Sequence, residues 1–162
     1  MKTASLLLLS LAAVFAAQPL PSTEAESLAG RKLTLPAALA GKPAILVWSF
    51  SKDAGESVKD WLTPLHREAL PVWSAAMLEA APRLIRPLIR SGMKKDTPPA
   101  MLDRTLCLYK GEKDWRAALG VTNDKLPLIL LLDAQSRPVW KHSGLFQPAV
   151  FATLRQQLSA LQ

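Results

Sequence analysis

Apolar and polar residues along this chain alternate between two periods. Ala44 to Phe50 is an apolar stretch rich in branched and aromatic residues. It follows the turn Gly41-Lys42-Pro43 and predicts a central strand covered on both faces. Leu128 to Leu132 is the most apolar run beyond the N-terminal segment. Asp133-Ala134-Gln135-Ser136 then turns the chain into Pro138 to Lys141, which predicts a hairpin. Shorter strand patterns cover Arg31 to Leu35, Val72 to Ala76 and Leu106 to Tyr109. Between them the period becomes helical. Asp53 and Glu56 form a variant capping box, and Val58, Trp61, Leu62 and Leu65 recur behind it. A helix is therefore expected from Asp53, kinked or shortened at Pro64. Lys113 to Leu119 predicts a short helix closed by Gly120. Gln147 to Leu161 predicts a last one with Val150, Phe151, Leu154, Leu158 and Leu161 on one face. Strand, strand, helix, strand, helix, strand, short helix, hairpin and helix is the order of an α/β layer fold.

The pattern from Glu79 to Arg90 carries more than packing information. On a helical wheel Leu78, Leu84, Ile85, Leu88 and Ile89 share one arc, and Arg83, Arg86, Arg90 and Lys94 the other. No acid interrupts Ala80 to Lys95. The expectation is an apolar arc packed on the sheet, with Arg83, Arg86, Arg90, Lys94 and Lys95 free to meet anionic lipid or an acidic partner. Pro82 can start a helix, whereas Pro87 is expected to break the pattern in two.

Met1-Lys2 followed by the apolar run Ser5 to Ala17 reads as an export signal over residues 1–16, with a retained anchor as the alternative. Residues 17–30 then read as a linker and residues 31–162 as one domain. The formal net charge is +7, of which the leader supplies only Lys2, so acidic partners are favoured. Export makes nucleic acid the poorer guess and places the protein in the periplasm or at a membrane. Cys107 is the only cysteine, so no intramolecular disulfide can form. Lying within a strand pattern, it is expected to be buried and inert. His66 and His142 have no ligand spacing, and neither a metal nor a cofactor is expected.

Gly41-Lys42-Pro43-Ala44-Ile45-Leu46-Val47, the segment Leu126-Pro127-Leu128 opening a strand that ends in Leu132-Asp133, and Gly144 resemble the landmarks of the thioredoxin-like superfamily. The resemblance implies a central mixed sheet flanked by helices, with Pro127 in the cis form facing the first turn of helix one. Redox members place two cysteines in that turn, where the helix N-terminus stabilises a thiolate. This chain has Asp53 and Glu56 there, which read first as helix capping. Phe50 to Trp61, Leu84 to Lys95, Pro98-Pro99, Trp115 to Gly120 and Arg137 to Trp140 are similar to the mitochondrial ATP synthase assembly-factor family, the ATPase complex subunit ATP-ten. That likeness implies a non-redox chaperone for a membrane complex.

Three function classes follow: a binding or assembly protein, a degenerate thiol–disulfide or peroxiredoxin-like enzyme, and a structural envelope domain. The missing cysteine pair favours the first.

Overall fold

The computed structural model describes residues 19–162, so the leader read over residues 1–16 lies outside the described residues. Strands β1 (Thr23–Ser27), β2 (Lys32–Leu35), β3 (Ala44–Ser49), β4 (Val72–Met77), β5 (Thr105–Leu108), β6 (Leu128–Leu132) and β7 (Pro138–Ser143) form one sheet. Their order across it is β2-β1-β5-β4-β3-β6-β7. Helices α1 (Lys52–Arg67), α2 (Arg86–Asp96), α3 (Glu112–Leu119) and α4 (Pro148–Ser159) connect or close it.

The apolar run of β3 dictates its place. All six of its residues are buried, which only a strand flanked by others and covered on both faces can achieve. It pairs in parallel with β4 and antiparallel with β6. Alternation then sends Leu46, Trp48, Leu106, Leu108 and Leu130 to one face with Trp115 and Leu119 of α3. Ile45, Val47, Ile129 and Leu131 face the other way, against Val58, Trp61 and Leu65 of α1 and Phe151, Leu154 and Leu158 of α4.

Three expectations are corrected. The stretch read as a linker contains β1, whose sequence Thr-Glu-Ala-Glu-Ser has no apolar period. Backbone pairing with β2 and β5 makes it a strand. Helix α1 begins before Asp53, because Ser51 is extended and its hydroxyl accepts from the Ala54 N–H at 3.2 Å, a serine cap. It continues through Pro64 to Arg67.

The third correction is α2. It begins at Arg86 with Pro87 in its first turn, where a missing N–H costs nothing, so Pro87 starts the helix instead of breaking it. Leu78 and Leu84 therefore precede the helix, and no residue of α2 is buried. Its arginines, Arg86 and Arg90, face the body of the protein while Leu88 is exposed, the opposite of the facing expected for these residues. Arg86 donates through Nε to the Ala81 carbonyl at 2.9 Å and through Nη2 to the Glu79 carbonyl at 2.8 Å. Its guanidinium also stacks over Tyr109. Arg90 donates through Nη2 to the Ser27 carbonyl at 2.7 Å and lies 3.0 Å from Glu26. The row that α2 covers includes Glu26, Cys107 and Ala76, so a cationic helix face satisfies it better than a leucine face.

Candidate functional site at the start of helix α1

Antiparallel pairing of β3 with β6 sets Trp48 opposite Leu128, so the loop before β6 arrives beside the start of α1. Ser51 joins the two. Its hydroxyl donates to the Asp124 carbonyl at 2.6 Å while accepting from Ala54 N–H, so both its hydrogen-bonding roles are used internally. Arg116 of α3 fixes that loop from behind, with Nη1 3.2 Å from Asp124 and 3.1 Å from Glu112. Pro127 is buried at the start of β6, at the same end of the sheet as Asp53 and Glu56, as the superfamily resemblance implies.

The Leu126–Pro127 bond is nevertheless trans, and the cis bond among the described residues joins Leu35 to Pro36. Trans is the ordinary ground state of an X–Pro bond, and the Pro127 carbonyl already extends the hairpin by accepting from Gly144 N–H at 3.0 Å. Gly144 is fixed by close approach, since a Cβ there would stand 2.8 Å from His142 Nε2.

Asp53 and Glu56 are both exposed on the outer side of the first turn, and Glu56 lies 4.0 Å from Lys52 in an ordinary surface pair. The cap of this helix N-terminus is Ser51, with Ala54 three residues later, so Asp53 and Glu56 lie just inside the helix and not at the cap itself. The Ser-Phe-Ser run offered two candidate caps ahead of the acid. Sequence reasoning followed the acid and missed Ser51, and the Arg116–Asp124 support was not legible in spacing at all.

Cys107 has no exposed surface, and its sulfur lies 4.0 Å from the Met93 sulfur. Burial pushes its thiol up to about 11, although the Arg90 charge pulls the other way. Roughly one thiol in a thousand is then ionised at pH 8. We expect a bulky disulfide reagent to leave Cys107 unmodified in the native protein and to label it fully in denaturant. Rapid native labelling would remove it from the buried strand.

The basic residues divide. Arg83, Lys94 and Lys95 are exposed, whereas Arg86 and Arg90 are held by the contacts described above. His142 sits between Trp61 and Trp140, with ring centroids 5.7 and 6.1 Å away, and burial lowers its pKa. No cluster of three or more His, Cys, Asp or Glu side chains able to hold a metal occurs among the described residues. A shallow open depression of about 340 Å³ lies between the second half of α1 and Phe146, away from the Ser51 cap.

The sheet order, the helix at the end of β3 and the β6–β7 hairpin have clear counterparts among solved structures. A SCO1/SenC family lipoprotein from Bacillus anthracis superposes with a TM-score of 0.61 at 12% identity, over 90% of this chain and 96% of that one. The chain has the thioredoxin-like fold. BsSco, of the Sco family of cytochrome c oxidase assembly proteins, gives a TM-score of 0.59 at 10% identity, over 88% of this chain and 94% of its own. A thiol:disulfide interchange protein DsbE from Chlorobium tepidum gives 0.55 at 17%, over 87% and 93%. Identities this low establish the fold alone. No protein-family model matches the chain. No curated protein matches it either. The structural neighbours are thus Sco/SenC and thiol–disulfide interchange proteins, and not the ATP synthase assembly factors that the sequence resembles. With one cysteine in the chain, the site holds no redox pair.

Proposed function

We propose that this chain is a non-redox binding or assembly protein built on the scaffold of a thiol–disulfide oxidoreductase. The observation that carries the reading is that the one cysteine, Cys107, is buried in β5, while the helix end that favours a thiolate is capped by the hydroxyl of Ser51. A hydroxyl there keeps the cap and closes the loop to Asp124, but it has no thiolate chemistry. The neighbour named for cytochrome c oxidase assembly supports a client in membrane-complex assembly, and the one named for thiol–disulfide interchange supports descent from a degenerate oxidoreductase. Neither supports ATP synthase. Read as an export signal, the apolar run Ser5 to Ala17 is consistent with a client in the periplasm or at the membrane.

The mature chain from Ala17 is expected to give no insulin reduction above the rate of dithiothreitol alone, and Cys107→Ser is expected to change nothing. A rate above background that Cys107→Ser abolishes would establish an enzyme working with external thiols. The binding half is tested by a photo-reactive side chain at Asp53, exposed beside the cap. It should crosslink to one dominant envelope protein, and crosslinks no different from those of a probe at Gln157 of α4 would refute a client at this end.

A further inference from the structure

Leu84, Ile85 and Leu88 stand at the surface with 94%, 44% and 74% of their area exposed. Single exposed leucines are ordinary, but contiguous ones mark a surface that meets something. They are outside because Arg86 and Arg90 are inside, bound to the carbonyls of Ala81, Glu79 and Ser27. Helical spacing continues the stripe from Leu88 to Lys95, seven residues on; Arg83 precedes it in the turn, and Lys94, also exposed, lies round the helix toward the Arg90 side. None of these three cations has an acidic partner within salt-bridge distance among the described residues. The nearest acids in sequence are engaged elsewhere, Asp96 with Lys59 at 3.4 Å and Glu79 with the Glu112 N–H at 2.7 Å.

The direction of the chain adds a second observation. Thr23, at the start of β1, accepts from Trp115 Nε1 at 2.9 Å. Glu112 N–H donates to Glu79 Oε2 at 2.7 Å, and Leu78 N–H donates to the Leu108 carbonyl at 2.7 Å. These contacts put the start of β1 and the 78–85 turn at one end of the sheet. The first described residues, the four before β1, therefore enter the sheet at the end that bears the ridge.

We propose that this ridge is a peripheral contact with an anionic lipid bilayer. Leu84, Ile85 and Leu88 enter the boundary between headgroups and acyl chains, and Arg83, Lys94 and Lys95 meet the headgroup phosphates. A bilayer offers an apolar interior directly beneath an anionic layer, which complements leucines bordered by unpaired cations. A second copy would bring two like-charged ridges together. Arg86 and Arg90 are not headgroup ligands, because Nε and Nη2 of Arg86 and Nη2 of Arg90 are turned inward onto backbone carbonyls. Attraction therefore has a salt-sensitive part and a salt-resistant part. The ridge is independent of the chemistry at Ser51, so the insulin assay and the test below fail separately.

The described residues of the chain from Ala17 hold the whole sheet and both cores, and that chain is tested by co-sedimentation with vesicles of phosphatidylcholine and phosphatidylglycerol, three parts to one. Leu84→Glu/Leu88→Glu is expected to weaken binding by about a hundredfold, at about tenfold per leucine. Arg83→Gln/Lys94→Gln/Lys95→Gln is expected to erase the preference for anionic over pure phosphatidylcholine vesicles. It should leave the weaker, salt-resistant part. Both variants alter only exposed side chains, so circular dichroism and the urea midpoint should match the parent. The proposal is overturned if the parent binds neither vesicle or if the glutamate variant binds as the parent does. It is equally overturned if the ridge instead drives a concentration-dependent dimer that Leu84→Glu dissolves.

Discussion

Ser51→Cys/Ala54→Cys is expected to convert the inert cap into a dithiol that closes to a disulfide under mild oxidation. The two positions are the cap and the third residue of α1, which gives the Cys-x-x-Cys spacing at a helix N-terminus. There the free N–H groups and the helix dipole favour the thiolate, so Cys at 51 should titrate well below the ordinary value of about 8.5. Oxidation removes two protons and two electrons to an added disulfide such as oxidised glutathione, and the couple should fall in the range of roughly −270 to −120 mV. Ala54 is fully buried, so a sulfur there crowds the core and is expected to lower stability by about 1–3 kcal/mol. Redox titration followed by mass spectrometry reads the outcome, with Cys107 as a silent internal thiol. Asp53→Cys/Glu56→Cys is the control, since both side chains point outward from the turn. If that pair cycles and the Ser51/Ala54 pair does not, the site has been placed two residues too early.

The layered fold was legible because its signals are cooperative. Apolar runs at Ala44–Ser49 and Leu128–Leu132, helical spacing at Val58, Trp61 and Leu65, and Gly120 at a helix end all specify the same architecture at different ranges. Gly120 adopts φ 64°, the left-handed conformation that glycine tolerates best at that position. What escaped was specified by pairing and by local competition. β1 has the composition of a linker and becomes a strand because β2 and β5 present open edges to it. The cap at Ser51 competes with Asp53 for the same role. It wins because its hydroxyl also meets the Asp124 carbonyl, a partner 73 residues away.

The inversion of α2 has the same origin. A helical wheel assumes that the apolar arc seeks the core, and here the core side of the helix presents Glu26, the Ser27 carbonyl and the turn carbonyls of Glu79 and Ala81. Partly buried acceptors gain from cationic donors what a leucine face could not supply, and the Ser27, Ala81 and Glu26 oxygens are met by Arg90 and Arg86. Position on the sheet decided the facing, and the sequence of the helix alone could not. Arg83, Lys94 and Lys95 are exposed, whereas Arg86 and Arg90 belong to the scaffold.

Trp61→Ala is expected to cost about 4–5 kcal/mol, the largest loss of stability from a single side chain considered for this molecule. Trp61 is fully buried on the inner face of α1. Its indole packs edge-on against Phe146 at 5.2 Å and beside His142 at 5.7 Å, and its Nε1 donates to the Gly144 carbonyl at 3.0 Å. Truncation leaves a cavity between helix and sheet and strips the Gly144 carbonyl of its donor, so the transfer and hydrogen-bond losses add. For a domain of this size the melting temperature should fall by roughly 10–15 °C. Trp61→Phe separates the two terms. It keeps most of the ring and removes only the N–H, and it is expected to cost about 1–3 kcal/mol. Urea unfolding monitored by circular dichroism gives both numbers, with an unchanged m-value showing that the transition stays two-state. Because Gly144 follows β7 and its N–H donates to the Pro127 carbonyl, Trp61 is also the residue that ties α1 to the strand carrying the Asp124–Pro127 loop. A Trp61→Ala protein within about 1 kcal/mol of the parent would mean that α1 does not rest on the hairpin. The Ser51–Asp124 contact at the other end of the helix would then have to hold the site together by itself.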